Sequence, residues 1–194
     1  MKIIDINDPV AVESAAEVLR SGGVVMHPTE TCYGLAVDIF NEKALEKLYE
    51  IKGRNEKKPV SILVSGLGMA QKYGDFSGEA LKLAEKYWPG PLSIVVPRSE
   101  NLPEFVNPEE NFVSIRFSDF VFCTKLVLAL GRPVTTTSAN RAGEPQLYKA
   151  DVNGFEGVDL VIDGGELLKN KPSTIVKVTG ESVEILRQGD LVVG

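Results

Sequence analysis

Basic, hydroxyl and amide side chains recur where the predicted strands and helices of this sequence end. The clearest basic group is KGRNEKKP, in which Lys52 and Arg54 are two residues apart and Lys57 and Lys58 add two further charges. The arginine guanidinium is a planar fork that matches phosphate or carboxylate oxygens, and the lysine ammonium is a compact point charge. This segment is therefore either an anion-binding loop or a solvated loop at a helix exit.

A second polar segment, RPVTTTSANRAGEP, places three threonines, a serine and an asparagine at the end of a predicted strand. Short hydroxyl and amide side chains can close turns by hydrogen bonding to their own backbone. The same turns can leave N–H groups pointing outward, where they can bind phosphate oxygens. Thr136, Ser138 and Asn140 are therefore candidate ligand contacts, and a purely structural turn is the alternative.

Two arginines lie in strands that are otherwise mostly apolar, Arg116 in FVSIRF and Arg187 in VEILRQGD. Because an arginine is seldom buried without a partner, each one either faces water at a sheet edge or meets an anion. Ser173 and Thr174 begin another predicted strand, and Thr29 follows the strand VVMHP. These strand ends carry cations and hydroxyls with few carboxylates, which predicts a cleft for an anionic ligand.

Several common catalytic and cofactor motifs are absent from the sequence. It has no G-x-x-x-x-G-K-[ST] loop, no G-x-G-x-x-G, no C-x-x-C and no H-E-x-x-H. One histidine cannot form a multi-histidine metal site, and we predict no metal ligands. His27 and Cys32 are five residues apart and would face opposite sides of a strand. We therefore expect Cys32 to be a small buried residue and not part of a catalytic dyad.

The composition is that of an ordinary soluble globular protein, with 194 residues, 43% of them hydrophobic and 25% charged. The net charge of −6 argues against a uniformly basic nucleic-acid surface, although a local basic patch stays possible. Two cysteines cannot form a secreted disulfide scaffold. No window approaches the roughly 18 apolar residues that a membrane span needs. We expect a reduced, cytoplasmic protein with no membrane segment.

The order of predicted elements favours a single α/β domain over residues 1–194. Strands mixed with helices, and late strands at hairpin-like spacing, predict a twisted mixed sheet flanked by helices. Apolar residues at helical spacing predict helices near 12–19, 41–52, 78–87 and 121–130. Apolar, β-branched runs predict strands near 24–28, 60–64, 92–96, 112–117, 158–163, 173–178 and 183–187, with a further short strand in PVTTTSAN.

Seven motifs carry a resemblance to a known family: PTETCYGLAVD, KGR, SIRF, TTTSAN, VIDGG, PSTIVKV and ILRQGD. Their order and spacing resemble the YrdC/TsaC family of threonylcarbamoyl-AMP synthases, in the short single-domain form. The resemblance implies a concave, positively charged cleft. It also implies an enzyme, a nucleotidyltransferase, that joins L-threonine, bicarbonate and ATP into threonylcarbamoyl-AMP and releases pyrophosphate. Its product would supply the t6A modification at position 37 of tRNA.

The resemblance also implies roles for single residues. The family's K-x-R…S-x-N residues are matched by Lys52, Arg54, Ser138 and Asn140. Lys52 and Arg54 are the implied catalytic contacts to the ATP phosphates, and Mg²⁺ would accompany ATP. The implied ATP contacts are Lys52, Arg54, Ser138, Asn140 and Arg187. The implied L-threonine contacts are Thr29, Arg116, Thr136 and Ser173, with Arg116 binding the carboxylate.

Three positions depart from the family pattern. Asn55 stands where many members have proline, Leu63 where some have a substrate-contacting histidine, and Phe112 where some have a nucleotide-contacting threonine. These departures concern the nucleotide pose and leave the class unchanged. The implied partners are proteins of the t6A pathway, with direct contact to tRNA or double-stranded RNA left open.

Two other functions fit parts of the sequence. In the first, the cationic cleft would bind structured RNA, and such binding would weaken steeply with salt. In the second, the same fold would transfer a carbamoyl group from another donor, as YrdC-like domains do within hydrogenase-maturation proteins. The acylphosphatase and zinc-finger segments of those proteins are not found in this sequence.

Overall fold

The chain folds into short strands and short helices. A computed structural model describes residues 1–53, 59–141, 143–153 and 155–194. The helices within these ranges are α1 (Ala11–Arg20), α2 (Glu42–Lys52), α3 (Leu67–Tyr73), α4 (Gly78–Tyr87) and α5 (Val121–Leu130). The strands are β1 (Lys2–Asp5), β2 (Val25–Pro28), β3 (Tyr33–Ala36), β4 (Ser61–Leu63), β5 (Leu92–Pro97), β6 (Phe112–Arg116), β7 (Val134–Ser138), β8 (Leu160–Asp163), β9 (Thr174–Thr179) and β10 (Ser182–Arg187).

All the described strands join one sheet in the order β1-β8-β2-β3-β7-β4-β6-β5-β9-β10. The pairs β1–β8, β2–β8, β4–β6 and β5–β9 are parallel, and the other neighbouring pairs are antiparallel. The predicted mixed sheet flanked by helices is therefore confirmed. Among the described residues, no helix combines the length and the apolar character needed to cross a membrane.

Alternating side chains divide the core between the two faces of the sheet. On one face, Ile62, Ile94 and Ile115 pack in a cluster that includes apolar residues of α2, α3 and α4. On the other face, Leu63 and Val134 pack in a second cluster with residues of α1 and α5. This division follows from the two-residue period of a strand, which sends successive side chains to opposite faces.

Helix α2 brings its last residue, Lys52, towards the middle of the sheet. The helix begins where the Asn41 side chain accepts a hydrogen bond from the Ala44 N–H at 3.1 Å, as an N-cap residue does. It ends at Gly53, whose φ of 56° lies in the left-handed region that glycine adopts without strain. The helix that the apolar spacing predicted near residues 41–52 is therefore confirmed.

Candidate functional site

A polar cavity of about 280 Å³ opens on the same face of the sheet as α1 and α5, in the part that these helices do not cover. The turn between β2 and β3 forms one wall, and strands β3, β4, β5, β6, β7, β9 and β10 and their adjoining loops contribute other lining residues. Six of the residues predicted to bind ligand line this cavity: Thr29, Arg116, Thr136, Ser138, Ser173 and Arg187. Sequence reasoning thus identified six residues that come from five separate segments and meet in one place.

The Thr29 hydroxyl holds the β2–β3 turn together. It accepts hydrogen bonds from the backbone N–H groups of Thr31 and Cys32, at 3.1 and 3.2 Å, and donates to the Cys32 carbonyl at 2.7 Å. The Thr31 hydroxyl lies 3.0 Å from the Thr29 hydroxyl. Thr29 therefore lines the cavity and at the same time fixes the conformation of its wall, a role that spacing alone did not indicate.

Arg116 is a buried cation at the floor of the cavity. Strand β6 lies inside the sheet between β4 and β5, so the alternative of an edge position facing water is wrong for this residue. Its Nη2 atom is 2.6 Å from Glu30 Oε1 and donates a hydrogen bond to Thr31 Oγ1 at 3.2 Å. Its Nε atom is buried and has no hydrogen-bond partner among the described residues. A buried donor without a partner is costly, and an anionic ligand could satisfy it.

Arg187 approaches the same cavity from the edge strand β10. Its Nε atom donates to the Ser173 carbonyl and its Nη2 atom to the Ser173 hydroxyl, both at 3.0 Å. The Ser173 hydroxyl lies 3.2 Å from that of Ser93 on β5. Arg187 is exposed overall, but partial burial of its guanidinium lowers its pKa, and the positive charge of Arg116 lowers it further. The two arginines therefore lie close enough to repel each other, and a shared anion would relieve this repulsion.

Lys52 comes together with Ser138 and Asn140, as the K-x-R…S-x-N pattern predicted. Its ammonium donates to the carbonyls of Ser138 and Asn140 at 2.5 and 3.0 Å, and to Asn140 Oδ1 at 3.4 Å. Lys52 thus fastens the end of α2 to the turn after β7. The second cation of the pattern, Arg54, lies outside the described residues, as do Asn55, Lys57 and Lys58.

Sequence reasoning missed two serines and a glutamate. Ser61 on β4 and Ser93 on β5 line the cavity, and Glu30 pairs with Arg116. Each serine is the one polar residue in an otherwise apolar run, VSILV or LSIVV. A single hydroxyl within a buried strand was the signal that could have identified both positions.

Leu63 and Phe112, two of the positions that depart from the family pattern, have different surroundings. Leu63 is fully buried in the apolar cluster beneath α5, and it packs in the core. Phe112 is partly buried at the start of β6, where the Lys177 ammonium lies 4.1 Å from the centroid of its ring. This distance is typical of a cation–π contact.

His27 lies beside Cys123 and not beside Cys32. Its Nδ1 atom is 3.0 Å from the Pro28 carbonyl and 3.7 Å from Cys123 Sγ. Burial lowers the pKa of His27 to about 4 and raises the pKa of Cys123 to about 12, so both groups are neutral near pH 7. An activated cysteine requires a thiolate, so this pair is not an activated dyad. Cys32 is buried, as predicted.

Fold and cavity together define a class: α/β proteins with one mixed sheet whose open face holds a cavity lined by hydroxyls and arginines. The sequence profile of the Sua5/YciO/YrdC family, described as "Telomere recombination", matches residues 17–189. A threonylcarbamoyl-AMP synthase of Vibrio cholerae serotype O1 is 33% identical over 184 residues, which are 92% of this chain and 97% of that relative. The chain belongs to the Sua5/YciO/YrdC family.

Solved structures agree with this assignment. Sua5 of Pyrococcus abyssi, solved in complex with L-threonine, has a TM-score of 0.90 to this chain at 31% identity. The match covers 98% of this chain and 58% of the Sua5 chain, so this chain spans less than two thirds of that relative. YciO of E. coli, at 23% identity and a TM-score of 0.85, shares the fold.

Proposed function

We propose that this protein is a threonylcarbamoyl-AMP synthase, which joins L-threonine, bicarbonate and ATP into threonylcarbamoyl-AMP and releases pyrophosphate. One observation carries the proposal: a buried arginine, Arg116, lines a hydroxyl-rich cavity and has an Nε–H group without a hydrogen-bond partner among the described residues. The family supports it, because the similar protein of Vibrio cholerae is named as this synthase. The product would supply the t6A modification of tRNA.

The carboxylate of L-threonine would bind at the Nε–H of Arg116. Amino acids carry a carboxylate, and a guanidinium is the side chain best matched to its two oxygens. The hydroxyls of Ser93, Thr136 and Ser173 surround this position and would orient the polar groups of the substrate. We assign Thr29 a contact to L-threonine as well, through the turn that its hydroxyl fixes.

The ATP phosphates would lie between Arg187 and the turn at Ser138–Asn140. Arg187 supplies positive charge, and Lys52 holds the turn through its carbonyl groups. Arg54 is expected to contribute a second guanidinium. Mg²⁺ would be held mainly by the phosphates, because no group of three potential metal ligands occurs among the described residues.

The reaction needs positioning and charge neutralisation more than a protein nucleophile. The threonine amine and bicarbonate form a carbamate with loss of water. A carbamate oxygen then attacks the α-phosphorus of ATP in line, forming the new P–O bond as the bond to pyrophosphate breaks. Arginines aimed at the phosphates would stabilise the charge that develops. A cavity that excludes water would protect the carbamate from losing CO₂.

The proposal also includes an enzyme class, a cellular location and partners. We assign the protein to the nucleotidyltransferases and to the cytoplasm, with proteins of the t6A pathway as partners. Direct contact with tRNA or double-stranded RNA would use the basic segment at Lys52–Lys58, much of which lies outside the described residues.

Pyrophosphate release from ATP tests this function, measured with and without L-threonine and bicarbonate. Release that requires both, and that falls when L-valine replaces L-threonine, is the expected result. Release without L-threonine would indicate a different acceptor and contradict the proposal. Absence of release, together with RNA binding that weakens steeply with salt, would indicate a binding protein instead.

A further inference from the structure

Glu30 is a buried acid for which the proposed reaction has no role. It lies in the turn between β2 and β3, and its side chain is only 15% exposed. Its Oε1 atom is 2.6 Å from Arg116 Nη2, and its Oε2 atom accepts a hydrogen bond from the Ser118 hydroxyl at 2.5 Å. Its carbonyl accepts a hydrogen bond from Asn170 Nδ2 at 3.0 Å. One oxygen of the carboxylate thus forms an ion pair, and the other accepts a hydrogen bond.

These contacts reach Arg116 from one side. Glu30 and Thr31 take up Nη2, whereas the Nε atom is left without a partner among the described residues. Arg116 lines the cavity, and Glu30 is not among its lining residues in the described part of the chain. The carboxylate of Glu30 therefore holds the guanidinium through Nη2 without itself lining the cavity, and the Nε–H group remains available to a ligand.

The charges in this region support the same arrangement. Arg116 and Arg187 bring two positive charges to one small cavity, and Glu30 offsets one of them. Without Glu30, a buried guanidinium would have neither its counter-charge nor a fixed plane. Losing one partner of a buried pair leaves the other uncompensated, so the remaining group moves or takes up water.

We propose that Glu30 is a positioning residue for substrate recognition: it holds the Arg116 guanidinium in the orientation that binds the substrate carboxylate. This inference rests on the proposed function, because it takes the carboxylate of L-threonine as the ligand. Glu30 itself does not contact the substrate in this proposal. Its influence is therefore confined to ligands that carry a carboxylate.

The test compares two ligands by isothermal titration calorimetry, L-threonine and L-threoninamide, which lacks the carboxylate charge. Glu30→Ala is expected to weaken L-threonine binding by about tenfold, the scale of one hydrogen bond to a charged group, and to change L-threoninamide binding little. Glu30→Gln keeps an acceptor for Arg116 and is expected to stay within roughly threefold of the wild type. Glu13→Ala removes an exposed ion pair with Arg20 on α1 and is the matched control, expected to leave both affinities unchanged.

Two results would overturn the proposal. One is L-threonine affinity in Glu30→Ala that equals the wild type, and the other is an equal loss for both ligands, which would indicate a general structural role. If Glu30→Ala does not fold, Ser118→Ala releases one oxygen of Glu30 and should weaken L-threonine binding alone; unchanged binding there would equally refute the proposal. A wild-type protein that does not bind L-threonine would instead refute the proposed function, and this inference with it.

Discussion

Acid should destabilise this protein through His27, the only histidine in the chain. The imidazole is fully buried between the sheet and α5, and its ring centroid is 6.0 Å from that of Phe122. Burial lowers the pKa of His27 from 6.5 to about 4, and the Pro28 carbonyl opposes this shift only in part. Protonation therefore favours the unfolded chain, in which the imidazole is exposed to water.

The size of the effect follows from the two pKa values. Between pH 6.5 and about 4, the unfolded state binds a proton that the folded state does not, so stability falls as the pH falls. At about 1.4 kcal/mol for each pKa unit, the loss is about 2 kcal/mol between pH 7.5 and pH 5 and about 3 kcal/mol below pH 4. A small domain has about 5–15 kcal/mol in total, so this is a large fraction.

Urea unfolding at a series of pH values measures the effect, with His27→Phe as the comparison. The variant should lose this pH dependence, and the difference between the two proteins should grow by about 2 kcal/mol from pH 7.5 to pH 5. Asp119, whose pKa is raised by burial and then by the charge of Glu30, has the opposite slope but is present in both proteins. Equal slopes for the two proteins, or an NMR signal of the single imidazole that titrates at pH 6.5 or above, would refute the reasoning.

Three further substitutions are informative. Arg116→Lys replaces a planar fork by a point charge and should raise KM for L-threonine by roughly tenfold, with a smaller change for ATP; equal changes in steady-state kinetics would contradict the assignment. Lys52→Ala should lower kcat/KM by roughly 10²–10⁴-fold, and it should also lower stability because the Ser138 carbonyl loses its charged donor. Pyrophosphate release within about threefold of the wild type would refute the activity prediction. Asn107→Asp should lower the free energy of unfolding by about 1–3 kcal/mol, because the Asn107 amide donates to the Val60 carbonyl at 2.9 Å and accepts from the Val60 N–H at 2.8 Å, and a carboxylate cannot donate. An unchanged midpoint in urea unfolding would be inconsistent with this.

The fold was predictable wherever the local pattern was long or regular. The apolar faces of α1 and α2 and the β-branched runs of β4, β5 and β6 have periods that specify one type of element. Strand β3 was missed because its four residues follow a polar turn, and α3 because seven residues give less than two full helical repeats. Strand β1 at the sheet edge has only one buried residue, so it shows little alternation.

Several residues that line the cavity could be predicted from the sequence, but the contacts between their side chains could not. Arg116 and Ser173 were recognisable as polar residues at strand ends, and the structure brings both into the cavity. The pairing of Arg116 with Glu30 joins residues 86 positions apart in the sequence, and only the sheet order brings them together. The same holds for the Lys52 ammonium, since spacing does not reveal that it meets the carbonyl of Ser138.

The position of the cavity follows from where α5 stops covering the sheet. On β4 and β7, Leu63 and Val134 lie beneath α5, while Ser61 and Thr136, two residues away on the same face, line the cavity. The change from aliphatic to hydroxyl side chains marks the boundary between core and site along single strands.

Arg116 lies on this boundary, because its strand neighbours in register are Leu63 on one side and Ser93 on the other. Its guanidinium is buried, contacts Glu30 and Thr31, and lies among the hydroxyl-bearing residues of the cavity. Because few water molecules can screen a charge at such a place, an ion pair formed there is stronger than one on the surface. A carboxylate that enters the cavity would therefore gain more from Arg116 than from an exposed arginine, provided that the guanidinium is already oriented. This requirement for orientation is the physical reason to expect a fixed acid such as Glu30 behind it.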